Sequence, residues 1–322
     1  MKDPLSLLLE RSGVAGSVFC RAELSEPWSV STKGSGDPAG RPAIFHVIVR
    51  GAGFVRVEPD RPEARTSEVS WRSGDVIMMP HGDPHVMSSH RDAHPVPISS
   101  LPTTPGEDGL PCISSGGDGP QTSILCGTVR FSEEAEELLR PHLPPLLHLQ
   151  CAQGPAAAWL DATLRLLGAE TSSALPGSET VIARLAEVLF VQALRAWLRD
   201  LPQGTGGWLA ALGDPNLSRV LTAIHEAPEE AWTVALLARH AGLSRSVFYT
   251  RFSEVMGEPP ASYLTRWRMH VARRALRRGE SVAEVAQQTG YGSEAAFSRA
   301  FKRTVGDTPG AWRDARDRTI RG

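Results

Sequence analysis

The stretch HAGLSRSVFYTRFSEVMGEPP, residues 240–260, decides the fold of the last third of the chain, because QTGYGSEAAFSRAFKRTVGDTP, residues 288–309, is a worn copy of it. Upstream of the first stretch, Val234, Leu237, Ala238 and Ala241 fall on one face of a short helix. Gly242 ends that helix, where a left-handed backbone is least strained. Ser244 is a suitable N-cap for a second helix. Val247, Phe248 and Phe252 are expected on its buried face, leaving Arg245, Ser246, Tyr249 and Thr250 outside. Helix, tight turn and capped helix make a helix-turn-helix, whose second member enters a DNA major groove. In the copy, SVAEVAQQTG gives a helix ending at Gly290 and Ser293 caps the next. Phe297 and Phe301 point inward there, and Glu294, Ala295, Ser298 and Arg299 outward. Phe248 and Phe297, Gly257 and Gly306, and Pro260 and Pro309 are each 49 apart, while the turn glycines 242 and 290 are 48 apart. Two units in register are far more specific than one.

Between the copies, PASYLTRWRMHVARRALRRGE carries an apolar stripe, Leu264, Trp267, Val271 and Ala275, beside Arg266, Arg268, Arg273, Arg274, Arg277 and Arg278. One rigid helix here would set two recognition helices about 34 Å apart, one groove turn along a duplex. Arg251, Lys302, Arg303 and the linker arginines are suited to phosphates, which position a protein without reading sequence; about a third of these arginines are expected in internal ion pairs instead. Residues 214–322 hold 17 Arg and Lys against 12 Asp and Glu, a net of +5. The other 213 residues carry a net of −7, so the basic surplus is local.

Residues 214–315 resemble the AraC/XylS family of bacterial transcription regulators. The likeness rests on LARHAGLSRSVFYTRFSEVMGEPPASYL and on RALRRGESVAEVAQQTGYGSEAAFSRAFKRTVGDTPGAWR. It implies base contacts from Arg245, Ser246, Tyr249 and Thr250 and from Glu294, Ala295, Ser298 and Arg299. Of these, Arg245 and Arg299 are natural guanine readers. The second helix is poor in hydrogen-bonding side chains, so phosphate contacts are its expected contribution.

The N-terminal half reads as strands, AIFHVIVRGAGFVRVEP as a hairpin split by Gly51 and Gly53, and VSWRSGDVIMMPHGDPHVMS as the same arrangement again. Residues 91–121 are rich in Pro, Gly and Ser, which predicts a long mobile loop before the strand TSILCGTVRFS. After residue 130 the pattern turns helical. EEAEELLRPHLPPLLHL starts a helix that stops at prolines, and AAAWLDATLRLLGAE and SETVIARLAEVLFVQALRAWLRD follow. The last is apolar around most of its circumference (Val181, Leu185, Val188, Leu189, Val191, Gln192 and Leu194), which calls for cover on more than one side. A dimer interface is the expected cover, with packing between domains as the alternative. LPQGTGGW, residues 201–208, reads as a linker. The fold class expected is α+β: a sensor domain over 1–150, a helical dimerisation region over 151–207, and an all-α double helix-turn-helix domain over 208–322.

Gly74, Pro80, Gly82, His85 and Ser89 keep the spacing G-x5-P-x-G-x2-H-x3-N, with serine in the last place. This resembles the second motif of the cupin β-barrel family and implies a histidine pointing into a cavity. The first cupin motif supplies further histidines and a glutamate; FHVIVRG offers only His46. DPLSLLLE, Cys20, FHVIVRG, GDVIMMPHGDPH and TSILCGTVRF together resemble a subgroup that includes a reactive-chlorine-sensing regulator. That likeness implies a sensor role for Cys20 and Cys126. Three readings stay open. The thiols are redox-active, or they are small buried apolar groups. Alternatively His46, His85, Cys20 and Cys126 hold zinc or another divalent metal. His81, His90 and His94 are expected to face solvent; Cys112 and Cys151 receive no role.

The opening MKDPLSLLLERSG is too short and too acidic for a signal peptide, and nothing approaches the roughly 18 apolar residues of a membrane span. The four cysteines make no Cys-x-x-Cys pair. A cytoplasmic, dimeric transcription regulator is expected, not an enzyme. Its expected partners are promoter duplex DNA, RNA polymerase if it activates, and a small molecule, metal or oxidant as signal. The alternative is a cupin-type metal-dependent enzyme fused to a DNA-binding domain.

Overall fold

The computed structural model describes residues 14–34, 41–61, 65–106, 110–132, 136, 139–150, 155–173, 175–199 and 207–320. The chain divides into two compact units, one within residues 9–200 and the other within 201–322.

The first unit is two facing sheets. One has seven strands in the order β12-β6-β3-β11-β1-β10-β9, where β1 is Val14–Ser25, β3 Ala43–Arg50, β6 Val76–Met79, β9 Thr103–Pro105, β10 Pro111–Gly116, β11 Gln121–Phe131 and β12 Leu147–Leu149. The other has five in the order β5-β4-β7-β2-β8, where β2 is Ser29–Thr32, β4 Ala52–Val57, β5 Ser67–Arg72, β7 His85–Ser88 and β8 Val96–Pro97. Apolar side chains from both inner faces, among them Leu24, Trp28, Ile48, Val55, Trp71, Ile77, Met87 and Ile124, fill the space between. The β-barrel expected from the cupin-like motif is thus a sandwich of two sheets.

Two expectations change here. The segments expected to form hairpins do not pair with themselves. β3 bonds to β11 and β6, whereas β4 bonds to β5 and β7 in the other sheet. The bend at Gly51, with φ of +101°, is therefore a corner between sheets. A side chain there would sit 2.5 Å from the Thr122 hydroxyl, so the corner needs glycine. β5 and β6 are likewise split between the two sheets across Gly74. Residues 91–121 are not a structureless loop: β8, β9, β10 and a 3-10 turn at Ile98–Ser100 lie within them. β10 runs parallel to β1. Hydrogen bonding to that long strand orders a segment whose composition alone would not.

After β11, a 3-10 turn at Arg140–His142 and strand β12 replace part of the helix expected there. β12 pairs with β6, placing His148 opposite Ile77. Helices α1 (Pro155–Ser173) and α2 (Ser178–Arg199) follow. α2 lies on the outer face of the seven-stranded sheet. Phe190 meets Phe131 edge-on with ring centres 5.3 Å apart. A side chain on Gly16 would come within 2.3 Å of the Ala186 methyl, so helix and strand approach as closely as glycine permits. The sheet accounts for most of the apolar circumference of α2; Val181 and Val188 stay exposed. The region set apart as 151–207 therefore belongs, through α2, with the sheets. Of the expected linker, residues 201–206 lie outside the described residues.

The second unit is helical: α3 (Trp208–Gly213), α4 (Pro215–Glu226), α5 (Val234–Ala241), α6 (Arg245–Met256), α7 (Pro260–Arg277), α8 (Val282–Gln288), α9 (Glu294–Val305) and α10 (Pro309–Ile320). Its caps are the ones the sequence announces. Gly242 is left-handed at φ +70°, the Ser244 hydroxyl accepts from the Val247 N–H, and Ser293 accepts from Ala296 N–H. Ser281 and Glu284 add a reciprocal capping box on α8. α7 is the shared core. Its Tyr263 and Trp267 pack around His225 of α4, and its Met269, Ala272, Ala275 and Leu276 pack with Phe297 and Phe301 of α9.

Candidate functional site

The helical unit presents two recognition helices. On α6, Phe248 and Phe252 are buried, while Arg245, Ser246, Tyr249, Thr250 and Arg251 are exposed. Val247 departs from the sequence reading: it is exposed, not on the buried face. With 3.6 residues per turn it lies about 100° from Phe248, too far round to reach the core that Phe248 and Phe252 fill. On α9, Phe297 and Phe301 are buried; Glu294, Ala295, Arg299, Lys302 and Arg303 are exposed and Ser298 is half-buried.

The arginines divide by partner. Arg251 bonds the Asp214 carboxylate at 2.7 Å, and Arg266 bonds Glu258. Arg278 bonds Glu280, and Arg268 donates to the carbonyls of Pro228 and Glu230. Arg273 and Arg277 stand over the Trp312 ring at 5.6 and 5.4 Å. Arg251 and Arg268 tie their helices to other segments and Arg273 and Arg277 cover Trp312 of α10, while Arg266 and Arg278 pair locally beside the ends of α7. Arg245, Arg299, Lys302 and Arg303 are exposed on the two recognition helices and form none of the ion pairs above.

In the sheet unit, one row of polar side chains crosses the core. Cys20, Cys126 and His46 are register partners on the adjacent strands β1, β11 and β3. All three are buried on the inner face, and His85 meets them from β7 of the facing sheet. The His46 Nδ1 lies 3.2 Å from the Cys126 Sγ, and its Nε2 lies 2.9 Å from the Nε2 of His85. The His85 Nδ1 lies 3.1 Å from the Asp83 carbonyl oxygen.

That carbonyl fixes the protons, because it only accepts. His85 must carry its hydrogen on Nδ1, so its Nε2 accepts from His46 Nε2–H. His46 Nδ1 is then a lone pair facing Cys126, which donates its S–H. Both histidines are neutral. Burial, then the neighbouring His85, holds His46 well below the ordinary imidazole value, and burial lowers His85. The two thiols are also hydrogen-bonded to each other. That bond pulls Cys20 below the ordinary thiol value, while the same bond and then burial push Cys126 well above it. Cys20 is therefore the first to ionise.

The four residues expected as zinc ligands are thus strung in a line. Cys126 and His85 take opposite edges of the His46 ring, so the Nε2 atoms of His46 and His85 face each other while Cys126 lies against His46 Nδ1. Among the described residues no group of three or more His, Cys, Asp or Glu side chains gathers as metal ligands would. His81 also differs from expectation. It is buried, and its Nε2 lies 2.9 Å from the Leu143 carbonyl, under the 3-10 turn whose Arg140 donates to the His81 carbonyl. His90 and His94 are exposed. Ser89, at the asparagine position of the motif, bonds the Trp28 backbone on both sides. Cys112 is a half-buried free thiol; Cys151 lies outside the described residues.

A cavity of about 30 Å³ opens beside the row, walled by Ala22, Leu24, Trp28, Val30, Met87 and Ile113, with His46, His85 and Cys126 also lining it. A single water needs about 10–15 Å³ on this measure, so the space suits two or three small atoms. Trp28, missed in the sequence, is the large aromatic wall. Its only signal was an isolated tryptophan among small polar residues.

A sandwich with a cupin motif joined to two capped helix-turn-helix units defines a class: a DNA-binding transcription regulator with a cupin domain in front. Known proteins agree. The cupin family model matches residues 3–199 and a helix-turn-helix domain model matches residues 237–315. An AraC-like transcription regulator of Streptomyces antibioticus is 33% identical over 97% of each chain. The RCS-specific activator RclR of Escherichia coli is 29% identical over 97% of each chain. The DNA-binding domain of AdpA, solved with a target DNA, is 35% identical over 34% of this chain and 99% of its own, with a TM-score of 0.32. The chain belongs to the AraC-like transcription regulators.

Proposed function

We propose that this regulator is a cytoplasmic homodimer, not an enzyme, which binds promoter DNA through α6 and α9 and takes oxidation of Cys20 and Cys126 as its signal. The row Cys20–Cys126–His46–His85 carries this reading. Directly paired antiparallel residues have Cα atoms about 4.5–5.5 Å apart, inside the range of a disulfide. The Cys20 thiolate attacks the oxidant; with a peroxide it becomes a sulfenic acid and an alcohol or water leaves. Cys126 then attacks the Cys20 sulfur and hydroxide departs, taking the Cys126 proton by way of His46 Nδ1. Two thiols lose two electrons and two protons, and the oxidant gains them.

Cavity size favours this signal over a metabolite, which would need several times the space. The name of the relative RclR points the same way. For the dimer, exposed Val181 and Val188 and half-buried Leu185 and Gln192 follow one another at helical spacing along α2. RNA polymerase is the further partner if the protein activates. An enzyme is disfavoured because FHVIVRG supplies only His46, without the second histidine and the glutamate of the first cupin motif.

The test treats the full chain with stoichiometric peroxide or hypochlorite, alkylates remaining thiols and maps the peptides. A Cys20–Cys126 disulfide is expected, and Cys126→Ser should abolish the oxidant response of a promoter reporter without changing DNA binding by the reduced protein. An unchanged reporter response in both Cys20→Ser and Cys126→Ser would sink the redox reading.

A further inference from the structure

Within residues 207–314, two large apolar or aromatic side chains stand exposed, Val247 at 51% and Tyr249 at 46%. Both are on α6, the recognition helix of the first unit. Elsewhere this unit hides such groups; Phe248, Phe252, Trp267, Phe297 and Phe301 are all buried. Two residues apart on a helix means about 200° apart around its axis. Val247 and Tyr249 therefore occupy opposite flanks, with the outward-facing Ser246 and Thr250 between them. A helix with side chains is about 10–12 Å across and the major groove is about 12 Å wide, so an inserted helix meets the groove on both flanks.

From this placement we infer that Val247 is a specificity-determining residue that reads thymine through its 5-methyl group. Its isopropyl group has no hydrogen-bonding atom. Among the groups that the four bases present in the major groove, the thymine methyl is the apolar one. Contact with any other base edge would strip water from a donor or acceptor without replacing its bond. Tyr249 carries a hydroxyl and has other choices; Val247 does not. The inference rests on α6 being a groove helix.

The test selects tight-binding duplexes from a randomised pool with the full chain, in both its thiol and oxidised forms. Each thymine of the selected site is then replaced singly by deoxyuridine, which removes only the methyl. Wild-type protein should lose about fourfold in affinity at one position, the scale of one buried methyl. Val247→Ala should bind the thymine site that much more weakly and be indifferent to deoxyuridine at that position, while keeping every other penalty. Val247 is exposed, so a thermal melt of the variant should match wild type. The inference is overturned if no deoxyuridine weakens wild-type binding, or if Val247→Ala retains both full affinity and every methyl penalty. Failure to select any duplex overturns it together with the DNA-binding reading of α6, a result distinguishable from a selected site that is blind to methyls.

Discussion

His46 holds both ends of an argument. Its ring has two nitrogens and each is committed, one to a sulfur and one to another imidazole. In water an imidazole takes a proton near pH 6.5, but here burial disfavours the charge, and His85 and His81 are lowered for the same first reason. The unfolded chain therefore binds more protons than the folded one below about pH 6.5. Folding stability from these groups is fully present above that pH and is lost as pH falls toward the depressed values. Denaturant titrations of the reduced full chain at about pH 7.5 and pH 5.5 should show the sheet unit weaker at the lower pH. The loss should be smaller in His85→Gln, which removes one depressed base. Equal stability of wild-type protein at the two pH values would mean that these imidazoles are not held neutral by burial.

Among the elements, β1 does the most. It lies between β11, the central strand of the seven-stranded sheet, and β10, and its pairing with β11 slips between Val18 and Cys20. Residues 16 and 20 would share one face of a regular strand; the bulge turns Gly16 to α2 and Cys20 to the core. Gly16 does not lie in the left-handed region, so Gly16→Ala acts through crowding of α2, against the Ala186 methyl at 2.3 Å and the Ala183 carbonyl oxygen at 3.0 Å. Overpacking of this kind destabilises by about 1–3 kcal/mol. Gly16→Ala should lower the denaturant midpoint of the sheet unit, and adding Ala186→Gly should recover part of the loss although glycine alone weakens a helix by about 1 kcal/mol. If the double variant is simply the sum of the singles, the close approach of β1 and α2 is not where the energy lies. None of this was readable beforehand. A bulge leaves no mark when its partner strand is a hundred residues away, and Gly51 reads as a hairpin turn until the sheets are known. The helices α5, α6, α8 and α9 were legible, because caps and turn glycines act within a few residues. Val247 was misplaced for a local reason as well: next to Phe248 it looks like core, and its true direction depends on which helix covers that side.

At the scale of the whole molecule, charge and fold follow the same division. The net of −7 falls on residues 1–213, and the +5 on the helical remainder. The sequence alone could not say which arginines were available for DNA. Arg251, Arg266, Arg268 and Arg278 each lie close in the fold to a carboxylate or carbonyl from another element or turn. Their exclusion leaves Arg245, Arg299, Lys302 and Arg303 as the outward cations of the recognition helices, fewer than a count of basic residues suggests. A polyanion approaching this chain is repelled by one part and drawn by another, so association should slow as salt rises. Each phosphate neutralised contributes about −0.9 to the slope of log affinity against log salt. Three or four such contacts give a slope of about −3 to −4 for the full chain on its selected duplex. Lys302→Ala should reduce the steepness by about 0.9 and weaken specific and random duplexes alike, since a phosphate contact carries no sequence. Arg251→Ala should leave the slope unchanged if its guanidinium stays with Asp214. A slope near zero, or one that Arg251→Ala lowers as much as Lys302→Ala does, would show that the ion pairs rearrange on binding and that the free-chain partners do not decide which cations meet DNA.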